Sequence, residues 1–165
     1  MDEEHLSRDP ILLVDVDGVI SLFGFAQERP PAGTFHPVNG VFHLISAGAG
    51  ERLRRLGERF QLVWATGWEE TANEYLPRLL ELPGELDCIH FDEFPEFGQA
   101  HWKLGAIDAY APPLRPLAWI DDSLDETCHA WAATRQAPTL LIKTTPEAGI
   151  LDKHVEQLLA WSQAL

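Results

Sequence analysis

Cysteine is scarce in this chain of 165 residues: only Cys88 and Cys128 are present. Two thiols cannot make a disulfide framework, and neither has a Cys or His at metal-ligand spacing, so both read as packed thiols. Basic residues are scarce as well, 12 Lys and Arg against 26 Asp and Glu, for a formal net charge of -14. Such an average field opposes nonspecific nucleic-acid binding, although a local site can still accept a nucleic-acid end. No apolar run approaches the roughly 18–20 residues that cross a bilayer. Met1-Asp2-Glu3-Glu4-His5 lacks the basic-then-apolar layout of a signal peptide. The expectation is a cytoplasmic protein without a membrane partner. Repeats and low-complexity runs are missing too. What is present is 45% hydrophobic residues, the apolar content of a globular chain. The length fits one domain with a real core. Residues 1–9 read as a polar tail and 10–165 as a single domain.

The apolar runs are short and end in polar residues. Ile11-Leu12-Leu13-Val14-Asp15-Val16 reads as a strand buried on both faces, as in a parallel sheet. Residues 18–45, with Pro30-Pro31-Ala32-Gly33 in their middle, read as an irregular or hairpin excursion. The residues 19–45 could form a flap with Phe23, Phe25, Phe35 or His36 near a leaving group. Helical spacing follows from about Ser46 to Arg59. Further strands are expected at 60–65, 86–91, 117–120 and 139–142. Further helices are expected from Thr66-Gly67 to Glu81, from Gln99 to Tyr110, from Ser123, and from Gly149. Ser123-Leu124-Asp125-Glu126 has the layout of a capping box. Five alternations of strand and helix predict a doubly wound, mostly parallel, Rossmann-like α/β sheet with helices on both faces. Such sheets place their sites beyond the carboxyl ends of the strands.

The polar residues of interest sit at those ends. Asp15 and Asp17 follow the first strand, Thr66 the second, Asp121 and Asp122 the fourth. Gly18 allows a sharp turn out of the strand and close approach of a ligand. Two acidic pairs on one rim would repel strongly unless protonated or bridged by a cation. Hard oxygen ligands in an open, hydrated site suit Mg²⁺. Thr66-Gly67 would offer a hydroxyl and free N–H groups to a phosphate at a helix N-terminus. Lys103 is the fixed cation that four acids and a phosphoryl group would need.

In this order the residues resemble the haloacid dehalogenase superfamily. Its four motifs stand here as Asp15-Val16-Asp17-Gly18-Val19, Ala65-Thr66-Gly67, Lys103 and Ile120-Asp121-Asp122, within about residues 11 to 125. The run Trp64-Ala65-Thr66-Gly67-Trp68 is also similar to small stand-alone members related to domains of RNA-repair proteins. The resemblance implies a phosphohydrolase with Asp15 as nucleophile and an aspartyl-phosphate intermediate. It implies Asp17 as general acid and base. It implies Thr66, Gly67 and Lys103 around the phosphoryl oxygens, with Lys103 also pairing with Asp15 and keeping it ionised. Mg²⁺ would be held by Asp15, the Asp17 main-chain carbonyl and Asp121, with Asp122 as a direct or water-mediated ligand. Because a halide needs no proton on leaving, an acid at 17 favours phosphate-ester chemistry over dehalogenation.

About 48 residues separate Asp17 from Thr66 and about 36 separate Thr66 from Lys103, too few for a cap domain beside the elements already there. An open site suits a large phosphorylated substrate, or a small one if a partner subunit closes over it. Two other readings compete. A receiver-type signalling domain uses similar residues, but its acceptor Asp ends the third strand and its Lys follows the fifth. A catalytically silent binding module could keep the same fold.

Overall fold

A computed structural model describes residues 9–91 and 101–165. Nearly all of the expected tail, and the first two residues of the helix expected from Gln99, lie outside them. In chain order the elements are β1 (Ile11–Val14), β2 (Ser21–Leu22), β3 (Gly33–Val38), β4 (Val41–Ser46), α1 (Ala49–Leu56), β5 (Gln61–Trp64), α2 (Glu70–Leu79), β6 (Asp87–Cys88), α3 (Leu104–Tyr110), β7 (Leu117–Asp121), α4 (Glu126–Thr134), β8 (Thr139–Lys143) and α5 (Asp152–Gln163).

Five strands form one sheet in the order β6-β5-β1-β7-β8, and every pairing in it is parallel. The apolar runs are continuous because this sheet is covered on both faces. Alternate residues of β1 go to opposite sides. Leu12 and Val14 pack with Leu53, Leu56, Leu76, Val155 and Leu158 of α1, α2 and α5. Ile11 and Leu13 pack with Leu104, Ile107, Cys128 and Trp131 of α3 and α4. No described helix is long and apolar enough to cross a membrane.

Numbering only the sheet strands along the chain, the order is 3-2-1-4-5. Receiver domains follow 2-1-3-4-5, so the receiver alternative fails on topology. In the order found, consecutive strands run outward from β1 in one direction and then resume beside it as β7. The β1/β7 crevice is therefore the switch point, where doubly wound sheets bind ligands. Registers of Val14 with Ile120 and of Val14 with Trp64 bring the carboxyl ends of β1, β7 and β5 level.

The excursion after β1 is a second, antiparallel sheet in the order β2-β4-β3. Its tight turn is Asn39-Gly40, both with positive φ (49° and 82°), as a type I′ hairpin turn requires.

Several boundaries differ from expectation. The third sheet strand shrinks to Asp87–Cys88, an edge pairing only with Val63 and Trp64. Helix α4 is capped by Asp125, whose side chain accepts from Cys128 N–H, and not by a box at Ser123. Ser123 is drawn back to Asp121 instead. Helix α5 opens at Asp152, three residues after Gly149, whose φ of 67° is not helical. Thr66-Gly67 does not open α2 either. A turn intervenes, and the helix starts at Glu70 after Glu69, which takes φ 49°.

Candidate active site

Sheet topology alone puts Asp15 beside Asp121. Asp15 follows the last residue of β1 and its N–H bonds Ile120 O of β7 at 3.1 Å. Asp121 closes β7 and Asp122 follows it. The three carboxylates bring ligand atoms within 4.8 Å of one another. Asp121 is fully buried and Asp15 is 6% exposed.

Lys103 sits just before α3, and its amine reaches this cluster through the core. Nζ lies 2.6 Å from Asp121 Oδ2, 3.0 Å from Asp15 Oδ1 and donates to Ala65 O at 2.7 Å. An ammonium has three N–H groups, and all three are engaged. What Lys103 can offer a phosphoryl group is its charge, while its N–H groups hold the acids in place.

The cluster is short of positive charge: three carboxylates face one ammonium. Burial pushes Asp15 up to about 8, more than Lys103 beside it pulls down, and Asp121 adds to the rise. The ion pair expected with Lys103 is present, and burial opposes the charge that it favours on Asp15. Burial and then the Asp121 charge raise Asp122 as well. Burial would raise Asp121 too, but Lys103 and the two Ser123 hydrogen bonds outweigh it and hold it below the ordinary carboxylate range. Lys103 is raised, since Asp15 and Asp121 overcome the opposing effect of its burial. A hard divalent cation among Asp15, Asp121 and Asp122 would relieve the repulsion. The donor set is oxygen alone, which fits such an ion.

Gly18 is needed here. Its φ is 84°, and a Cβ at this position would overlap the Asp122 carboxyl. Thr144 Oγ1 donates to Gly18 O at 2.7 Å and ties the turn to the end of β8.

Thr66 is buried at 1% exposure, and its Oγ1 accepts from Trp68 N–H at 3.1 Å, a side-chain turn. Among the described residues no acceptor takes the Thr66 hydroxyl proton. Gly67 is exposed, and its N–H has no acceptor among the described residues. The Thr66 and Gly67 donors thus sit on this turn and not at a helix N-terminus.

Asp17 stands apart from the three-carboxylate group. Its side chain is 52% exposed, and Oδ2 accepts from Trp68 Nε1 at 3.0 Å. His43 Nδ1 of β4 lies 3.8 Å from Oδ1. The residue that the excursion brings to Asp17 is therefore His43. His36 lies directly opposite His43 on the outer strand β3 and bonds Thr34 at 2.7 Å. Phe35 pairs with Leu44, so it lies on the opposite face of the hairpin from His43 and is 58% exposed.

No family model matches this chain, and no curated protein matches it significantly. Its own geometry has to carry the functional reading.

Sequence reasoning missed the groups that orient Asp121. Ser123 N–H and Oγ–H both donate to Asp121 Oδ1, at 2.9 Å each. His101 Nδ1 accepts from Lys103 N–H at 3.2 Å, which leaves the ring proton on Nε2, 3.1 Å from Ser123 Oγ. Burial keeps His101 below its ordinary pKa, hence neutral, as this tautomer requires. A signal existed for Ser123, because an Asp side chain commonly accepts from the N–H two residues on. None existed for His101 or His43. Ser123→Ala should cost about 1.5–3 kcal/mol, the value of a hydrogen bond to a charged group. Urea unfolding checks it as a lower midpoint with an unchanged m value.

Proposed function

We propose that this chain is a Mg²⁺-dependent phosphohydrolase, a capless member of the haloacid dehalogenase type, acting on a phosphate monoester through an aspartyl-phosphate. The observation that carries the reading is the Lys103 ammonium clamped between Asp15 and Asp121, with Asp122 completing a three-carboxylate group at the switch point. A cytoplasmic location goes with it, which the two free thiols suit.

In the first step an Asp15 oxygen attacks phosphorus, the bond from phosphorus to the leaving oxygen breaks, and Asp17 gives that oxygen its proton. In the second step water attacks phosphorus, its proton passes to Asp17, and the bond to Asp15 breaks, releasing phosphate. Thr66 Oγ–H and Gly67 N–H would hold phosphoryl oxygens, and Lys103 would supply fixed charge. Mg²⁺ held by Asp15, Asp121 and Asp122, with the Asp17 main-chain carbonyl, would neutralise charge developing on the phosphoryl group. Two properties of Asp17 support its role: it lies off the carboxylate cluster and it is open to solvent, where a leaving group can reach it.

Phosphate release from a panel of phosphorylated metabolites, nucleotides and oligonucleotide ends tests this directly. Release is expected with Mg²⁺ and is expected to vanish on chelation with EDTA. Folded protein that releases no phosphate from any substrate, with or without Mg²⁺, would leave the silent binding module as the better reading.

A further inference from the structure

The hairpin sheet does more than cover the core, and His43 is where it reaches the site. His43 Nδ1 pairs with Ser21 Oγ at 2.9 Å, and Ser21 is itself buried on β2. The His43 ring stands edge-on to the Trp68 indole, with centroids 4.7 Å apart and planes at 63°. The indole in turn donates to Asp17. A chain of contacts thus runs from β2 through His43 and Trp68 to the carboxyl expected to handle the proton.

Chemistry gives that chain a direction. An indole N–H can only donate, so Oδ2 of Asp17 is held as an acceptor, and a carbonyl oxygen accepts better than a hydroxyl oxygen. A proton on this carboxyl is therefore favoured on Oδ1. At 3.8 Å the His43 nitrogen is too far from Oδ1 for a hydrogen bond, which leaves that oxygen available to a substrate. Otherwise a half-exposed Asp side chain would rotate among several orientations. Among the described residues, no other side chain donates a hydrogen bond to Asp17.

We propose that Trp68 and His43 are positioning residues for Asp17. They aim Oδ1 at the leaving oxygen and make the hairpin one wall of the leaving-group subsite. The inference rests on the phosphohydrolase reading. It commits the site to phosphate esters of poorly leaving alcohols, for which a correctly aimed proton decides the rate.

Two substrates of differing leaving group test it. A simple alkyl phosphate needs the proton, whereas 4-nitrophenyl phosphate expels a stable phenoxide with little help. Trp68→Phe, which keeps an aromatic ring but loses the N–H, should lower kcat on the alkyl phosphate about 10- to 100-fold. On the nitrophenyl ester the same variant should stay within about threefold of wild type. Asp17→Asn should show the same selectivity on a larger scale, about 100-fold or more. His43→Ala should follow Trp68→Phe in direction, and His43→Phe, which keeps a ring edge against the indole, should recover most of the loss. Thermal melts confirm that each variant is folded.

Equal losses on both esters in Trp68→Phe, or no loss on either, would overturn the positioning role while leaving the phosphohydrolase reading standing. A His43→Phe variant as impaired as His43→Ala overturns the assignment of His43 as a ring support. Wild-type protein inactive on both esters with Mg²⁺ overturns the inference together with the reading beneath it.

Discussion

Asp15→Asn is expected to reduce magnesium-dependent phosphate release by about 10⁴-fold or more and, at the same time, to make the metal-free protein more stable than wild type. The first effect follows from chemistry, since an amide cannot form the acyl-phosphate. Retained turnover in the purified variant would place the nucleophile elsewhere. The second follows from burial, which raises Asp15 from 3.8 to about 8 despite Lys103 at 3.0 Å. An unfolded chain releases this proton near pH 4, whereas the fold holds it until about pH 8. The stability linked to Asp15 is therefore complete below about pH 4 and is lost as pH rises through about 8. Asn carries no such dependence. In EDTA the advantage of the variant should grow between pH 4 and pH 8 and then level off, at about 2–4 °C in Tm per kcal/mol gained. Adding Mg²⁺ should raise the Tm of wild type more than that of the variant. A pH-independent difference in Tm would contradict the electrostatic origin. The nucleophile would then be a residue the fold tolerates at a cost in stability, a common trade at active sites.

Lys103→Met should be the most destabilising single change in the site, at about 3–5 kcal/mol. Lys103 is 2% exposed, and its amine binds two buried acids and one carbonyl. Methionine fills most of the volume, so the loss reports charge and hydrogen bonding and not a cavity. Against a typical stability of roughly 5–15 kcal/mol, that threatens folding at neutral pH. The deficit should shrink as pH falls toward 4, because Asp121, which Lys103 holds below the ordinary carboxylate range, takes up a proton once the amine is gone and its uncompensated charge disappears. Lys103→Arg should not restore stability, since a planar fork does not fit where three acceptors surround one nitrogen. Urea unfolding at pH 7 and at pH 4.5 reads both statements. An unchanged midpoint would mean that the amine does not sit between the acids.

Much of this site was legible in the chain because its signals are local. A buried strand is an unbroken apolar run of four to six residues, and Asp15, Thr66 and Asp121 stand where such runs stop. Their placement at the carboxyl edge follows once the strands are taken as parallel. Local signals failed where two of them competed. Ser123 and Asp125 are both good helix caps, and sequence cannot rank them. The buried Asp121 carboxylate decides the matter by claiming both donors of Ser123. Asn39-Gly40 is the opposite case: it is a strong local hairpin signal, and it makes a hairpin of the 18–45 excursion where the prolines at 30 and 31 left an irregular loop open.

By itself the sequence determined the alternation of strands and helices, the polar residue at each strand end, and a pattern of acids calling for a cation. Each depends on neighbours a few positions away, through backbone geometry and side-chain periodicity. Only the tertiary structure decided which strands lie side by side, and so that Asp15 meets Asp121, that His43 stands by Trp68 and Asp17, and that His101 reaches Asp121 through Ser123. It also decided the sign of the Asp15 shift. Desolvation depends on how much protein surrounds a group from every side, and no stretch of chain carries that information.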